Sequence, residues 1–280
     1  MTNAHVYRQL VNGVMLGACA LCAVACIGIL FAILAYVFVH AVGNISLDFF
    51  TQTPKPVGEA GGGVANSIVG TLLMVTLASL MAIPVGLGAG IFVSEYASPR
   101  LGDIVRFVAD VMSGIPSIVV GIFIYLVVVI KTGSFSGYAG GLALAVIMLP
   151  IVARSSEEML KLVPHSQREA ALALGIPRWR SIVSVVLPAA ARGLITGGLL
   201  AIARASGETA PLLFTSLGNT YLSTNLNGEM DALPLRIYRY AIGPYDEWHA
   251  QAWAASLVLV MMVLAFSIMA RLVLGRQSRG

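Results

Sequence analysis

The chain has 280 residues, 58% of them hydrophobic and only 11% charged, with a mean hydropathy of +0.88. A soluble domain carries about 25% charged residues, so this composition excludes an ordinary water-soluble enzyme and points to a membrane solvent. The formal net charge of +4 would suit a nucleic-acid partner, but the placement of the basic residues fits membrane topology instead.

Five stretches contain no Asp, Glu, Lys or Arg: Val14–Val42, Asn66–Ser94, Val111–Ile130, Phe135–Ala153 and Ala250–Ala270. Each approaches or exceeds the ~20 residues a helix needs to cross ~30 Å of hydrocarbon. A sixth run, Ala189–Leu217, is equally long but holds Arg192, Arg204 and Glu208. The sequence therefore predicts an all-α polytopic membrane protein with six transmembrane helices. The first run is too long for the ~7–15-residue apolar stretch of a signal peptide, so it is read as a permanent span. Its Cys19, Cys22 and Cys26 lie near one helix face. Without polar companions they read as apolar filling rather than a metal or redox site. The segment Gly43–Ala65, with Pro54, Pro56 and Gly61-Gly62-Gly63, reads as an external loop. Residues 1–65 thus form a stub, a first span and a loop ahead of a core at 66–280.

In span two, Gly86, Gly88 and Gly90 follow Pro84. A nucleotide fingerprint would need a strand before it and a soluble fold around it. Close helix packing and a flexible point are the better reading. Span three contains Ser113-Gly114-Ile115-Pro116-Ser117. Pro116 removes a backbone donor, which predicts a kink or break. Broken backbone is tolerated in a membrane where it faces protein or a water-filled cavity, so span three is either a pathway wall or a structural kink. The region Arg154–Leu187 is charged and has helical patterning but no spanning stretch. The segment Gly218–His249 is the largest external one. With the N-terminus, the second and fourth inter-span loops and the C-terminus on one side, twelve of the 17 basic residues lie there. Lys55, Lys131, Arg236 and Arg239 lie opposite, and Arg204 falls within a span. This bias predicts that both termini are cytoplasmic.

The charged loop reads REAALALGIPRWRSIVSVVLP. Glu169 to Leu174 is a strong helix former, Gly175 suits a left-handed helix end, and Pro177 can begin a second helix that leads to Pro188 and span five. A short helix, a sharp turn and a further helix make a rigid docking knob. An inert loop is the plain alternative, and a DNA-binding helix-turn-helix fits poorly with six surrounding spans. Glu169-Ala170-Ala171, Gly175, Val185, Leu187 and Pro188 resemble the EAA motif of ABC importer permeases, with Val185 at the usual Ile position. The resemblance implies a coupling helix with Glu169, Ala170, Ala171 and Gly175 at the contact with an ATPase subunit, and the type I permease fold.

Span five reads GLLAIARASGETAPLLFT. Arg204 and Glu208 are four apart and are expected to share a helix face. Arg204 lies 16 residues past Pro188, or ~24 Å along a helix, which is well inside the bilayer. Such a pair should face the bundle interior or an aqueous path, because a lipid-facing arginine costs about 2.5–3.5 kcal/mol. Its planar fork suits a phosphate or carboxylate. Glu208 can hold the guanidinium, while Ser206 and Thr209 supply hydroxyls. The plain alternative is a pair that only fixes packing. ARASGETAPLLFT, SGIPSIVVGIF, IPVGLGAGIFVSEYA and ALPLRIYRYA resemble the A-type permeases of phosphate importers from about Asn66 onward. That resemblance implies a phosphate path at Arg204 and Glu208, a second C-type permease, an ATPase dimer and a periplasmic phosphate-binding protein. No P-loop is present. The expectation is a permease with no ATPase site and no cofactor of its own, with ATP and Mg on the partner ATPase. A permease for sulfate or molybdate and an ion-driven secondary transporter are the alternatives.

Overall fold

The computed structural model describes the backbone of residues 2–56, 59 and 61–277, and the chain is built from helices. Among the described residues the one extended pairing is an isolated bridge between Leu217 and Met230. Helix α1 (Thr2–Ala41) lies along the last helix of the chain, here α11 (Asp246–Gln277). Tyr36 stacks on His40 with ring centroids 4.1 Å apart and meets Trp253 edge-on at 5.3 Å. The segment read as a plain loop contains a short helix, α2 (Leu47–Thr51). The Ser46 hydroxyl accepts from the Phe49 N–H, a helix start of the usual chemistry, and Phe49 is buried.

The centre of the bundle is the pair α3 (Ala65–Tyr96) and α6 (Gly137–Lys161). Three close approaches, Gly140 on Met74, Gly86 on Val152 and Gly90 on Ser156, share an offset of 66 residues, so the two helices run parallel in register. A methyl group on Gly86 would stand 2.7 Å from Val152 Cβ and one on Gly90 would stand 2.6 Å from Ser156 Cβ. Small residues let the backbones approach where lipid supplies no hydrophobic drive between helices. Gly88 meets nothing, so the glycine alternation serves packing at its two outer members. Ala78 and Ala82 of α3, Leu144 and Met148 of α6, and Ala201 and Ala205 further on belong to one buried core.

Span three is not one helix. Helices α4 (Pro99–Gly114) and α5 (Ser117–Thr132) meet at 96°. Pro116 has no N–H to continue the ladder, and Ile115, the residue before it, is extended at φ −71°, ψ 128°, as proline demands of its predecessor. Among the described residues, five helices are long and apolar enough to span a membrane, and the bent pair makes six.

The charged region is shorter than the sequence suggests. Helix α6 continues through Arg154 to Lys161, α7 (His165–Ala173) forms the loop helix, and α8 runs unbroken over Arg178–Ser206. Span five therefore does not begin at Pro188. A widened turn at Ile182–Val186, in which the Leu187 N–H reaches back to Ile182 O, precedes that proline. Shifting the bonding by one residue ahead of a proline relieves its missing donor. Pro177 is the residue immediately before α8, not its first. Only 162–177 stand outside the long helices, at what is called here the elbow end.

The opposite end carries α2, α9 (Ala210–Leu213), α10 (Leu233–Ala241) and the start of α11. Asp231 and Arg236, read as external loop charges, are buried there and pair at 2.6 Å. Ser67 Oγ donates to Asp231 Oδ2 at 2.5 Å, Asn66 Nδ2 donates to Asn219 O at 2.5 Å, and the Leu233 N–H donates to Thr71 Oγ1 at 2.8 Å. This polar knot ties the long outer segment to the first turns of α3. Burial raises the Tyr240 hydroxyl above its ordinary range, against the pull of the neighbouring Arg236.

Candidate substrate path and coupling elbow

Helix α8 ends at Ser206, two residues past Arg204. Pro211 accounts for the stop, because in a continued helix it would need a donor it lacks and its ring would strike the carbonyl of Gly207. The chain turns through Gly207, Glu208 and Thr209, where the Gly207 N–H donates to Arg204 O and the Glu208 N–H to Ala205 O, each at 3.2 Å, three residues back rather than four, before α9 begins. Arg204 and Glu208 therefore do not share a helix face. They approach across the helix end, with Nε and Oε1 3.8 Å apart. That is a loose pair, longer than a charge-assisted hydrogen bond.

The break in α8 faces the break between α4 and α5. Arg204, Met112, Ser113, Ile115, Ser117, Val120, Val146, Ile147 and Ile151 line one cavity of about 100 Å³. Val146 to Ile151 occupy the middle of the 25-residue α6, so Arg204 lies at mid-height of the bundle. Pro211 of α9 packs on Gly121 of α5, where an added methyl would stand 2.6 Å from the proline Cα. The two interrupted helices thus brace each other beside the guanidinium. The Arg204 side chain is 59% exposed and that of Glu208 is 15% exposed. An arginine at this depth is turned out of its own chain.

Ser206 does not join this group. It stands about 200° from Arg204 around the helix, its hydroxyl donates to Ile202 O at 2.8 Å, and it lines a separate apolar cavity of about 530 Å³ with Thr71, Ile83 and Phe266. Thr209 sits in the break just ahead of α9, its carbonyl accepting from the Leu212 N–H. The sequence pointed to the broken third span but did not name Ser113 and Ser117 as hydroxyl residues lining the arginine's cavity. The Ser-Gly-Ile-Pro-Ser run was the available signal.

The elbow forms as the sequence predicts. Gly175 takes φ +74°, and its N–H donates to Leu172 O at 2.9 Å while the Ile176 N–H reaches Ala171 O. Both bonds satisfy carbonyls left open at the end of α7. Glu169, Ala170 and Gly175 are exposed. Ala171 is buried against its own chain, so it is not on the outer surface of the knob. Leu174 is 81% exposed and Trp179 63% exposed, and they give the elbow a bare apolar tip.

Residues 82–279 match the family model of the binding-protein-dependent transport system inner membrane component. The chain is 46% identical over 237 residues to the phosphate transport system permease protein PstA of Yersinia pestis, covering 84% of this chain and 80% of the relative. It is 41% identical to the PstA protein of Pasteurella multocida over the full length of both. The chain belongs to the PstA family of phosphate transport system permeases. Its fold matches an inward-facing structure of the MetNI methionine ABC transporter with a TM-score of 0.63 at 19% identity, over 75% of this chain and 94% of that one. The type I ABC importer permease fold is thereby established. As a PstA-family permease it is a membrane-embedded subunit of an importer that works with other components.

Proposed function

We propose that this chain is one of two permease halves of an ATP-driven phosphate importer, with phosphate passing Arg204. The observation that carries the proposal is a mid-height arginine, more than half exposed, at the meeting of two helix breaks. Lipid at that position would cost about 2.5–3.5 kcal/mol, so the exposed face belongs against a second permease and an aqueous path. A C-type permease fills that role. Phosphate is bound by the guanidinium fork, and Glu208 holds the fork when the path is empty. Thr209, in the break, offers a hydroxyl. The relatives' names favour phosphate over the alternative oxyanions sulfate and molybdate.

The elbow docks on an ATPase dimer through Glu169, Ala170 and Gly175, with Leu174 and Trp179 as apolar contacts. Its end of the bundle is cytoplasmic, which puts both termini there and the chain in the bacterial inner membrane. A periplasmic phosphate-binding protein delivers substrate to the opposite end. ATP and Mg belong to the ATPase, and this chain supplies no catalytic group and binds no cofactor. ATP-driven closure of the dimer shifts the elbow and opens the path outward, and hydrolysis resets it inward. Uptake assays with phosphate, sulfate and molybdate, in cells lacking other phosphate systems, test the substrate. Phosphate uptake restored by this chain with its partners is expected, and transport of sulfate or molybdate instead would refute the reading.

A further inference from the structure

Both legs of the elbow are tied to the inner end of α3. The last widened turn of α3, Phe92–Tyr96, presents Glu95, whose side chain is 4% exposed. Arg168, on α7, donates to its carboxylate from Nη2 at 2.7 Å and from Nε at 3.2 Å. The same guanidinium donates to Leu160 O at 2.8 Å and Val163 O at 2.5 Å, at the end of α6. On the other leg of the elbow, Arg178 donates to Glu95 O and places its guanidinium 5.2 Å from the centre of the Tyr96 ring. Two adjacent residues of α3 therefore hold both legs of the elbow, one on each side of the Gly175 turn. The planar fork of arginine is suited to such multiple directed bonds.

We infer that Glu95, clamped by Arg168 and Arg178, is the positioning residue through which motion of the elbow enters the membrane helices. Glu95 ends α3, and Leu160 and Val163 lie at and beyond the end of α6. These two helices are locked in register by their close glycine contacts. A push on the elbow thus moves α3 and α6 as one body, and Arg204 sits beside α6. Lysine at 168 reaches one acceptor set but not all three, so the clamp is specific to the fork. The inference rests on the importer reading only for the identity of the partner that pushes.

The test uses the complex of this chain with its partner permease and ATPase, with Cys19, Cys22 and Cys26 replaced by serine. Spin labels go on Gly88, which meets nothing, and on Ile122, an exposed position of α5. ATP with vanadate is expected to shift the label distance in the otherwise unchanged complex. Arg168→Met, Glu95→Gln and Arg178→Met are expected to abolish or shrink that shift while the ATPase subunit still co-purifies and hydrolyses ATP. Transport per ATP should fall roughly 2- to 30-fold, the range of mutations along a coupling network. Glu95→Gln keeps the shape of the site but removes its charge and one of the two oxygens that accept from Arg168, so it carries the test if Arg168→Met fails to assemble. An equal shift in variant and parent, or no shift in the parent, overturns the inference. Failure of the parent to move phosphate while the label shift persists would refute the substrate instead.

Discussion

An arginine at mid-height with one carboxylate 3.8 Å away is under-satisfied by its own chain. Five donors and a full charge require more than a loose ion pair, and in the proposed path the anion meets the exposed face. Replacing Arg204 by Lys keeps the charge and removes the fork. The lost charge-assisted bond is worth about 1.5–3 kcal/mol, so phosphate uptake should fall roughly 10- to 100-fold, with assembly of the complex unchanged in a pull-down. A packing role predicts the reverse, with assembly impaired and uptake per complex intact. The buried Asp231–Arg236 pair is a structural contrast. Its side chains are 0% and 4% exposed, and they close on each other and on Ser67. Asp231→Ala strands a buried guanidinium, and breaking such a pair costs about 3–5 kcal/mol. The thermal midpoint of the purified subunit complex in detergent should drop clearly, and an unchanged midpoint would show that the knot contributes little.

At the scale of elements, the proposed function rests on two helix ends. Pro211 stops α8 at Gly207 from four residues downstream. Pro211→Ala restores the donor, and the helix is then expected to run on past Ser206, carrying Glu208 around the axis. Uptake should fall while insertion is kept, as read by transport alongside membrane-fraction immunoblots. The Gly175 turn is the second such point. Proline there is doubly incompatible, because it cannot adopt φ +74° and it removes the N–H donated to Leu172 O. Gly175→Pro should leave the permease inserted and ATP hydrolysis measurable but transport lost, and normal transport would remove the elbow from the coupling route. The elbow was readable in the sequence because every signal in it is local: helix formers, a glycine at the stop and a proline after it. The end of α8 was equally readable from Pro211, yet the apolar run through Leu217 masked it. Hydropathy reports burial in lipid and is silent on whether the backbone is continuous.

For the whole molecule, the spans were legible because lipid demands long uncharged runs, and the broken third span announced itself through Pro116. What composition could not convey is which distant residues meet. Glu95 follows directly on an apolar run, Arg168 stands 73 residues away, and no periodicity links them. Asp231 and Arg236 fall in a segment of mixed character that looks solvent-exposed until the fold folds it over α3. The same limit explains Ser206, which neighbours Arg204 in sequence and faces away from it in space. The molecule that results is a parallel α3–α6 spine with the elbow clamped to one end, a polar knot at the other, and two interrupted helices flanking the Arg204 cation halfway between. Its central claim is that this cation conducts the substrate. The direct measurement is radiolabelled phosphate uptake into proteoliposomes holding the full transporter with its ATPase and binding protein, comparing Arg204→Gln with the parent. The account predicts ATP-dependent uptake in the parent and none above background in the variant, at equal subunit content. Uptake by Arg204→Gln at the parent rate would contradict it.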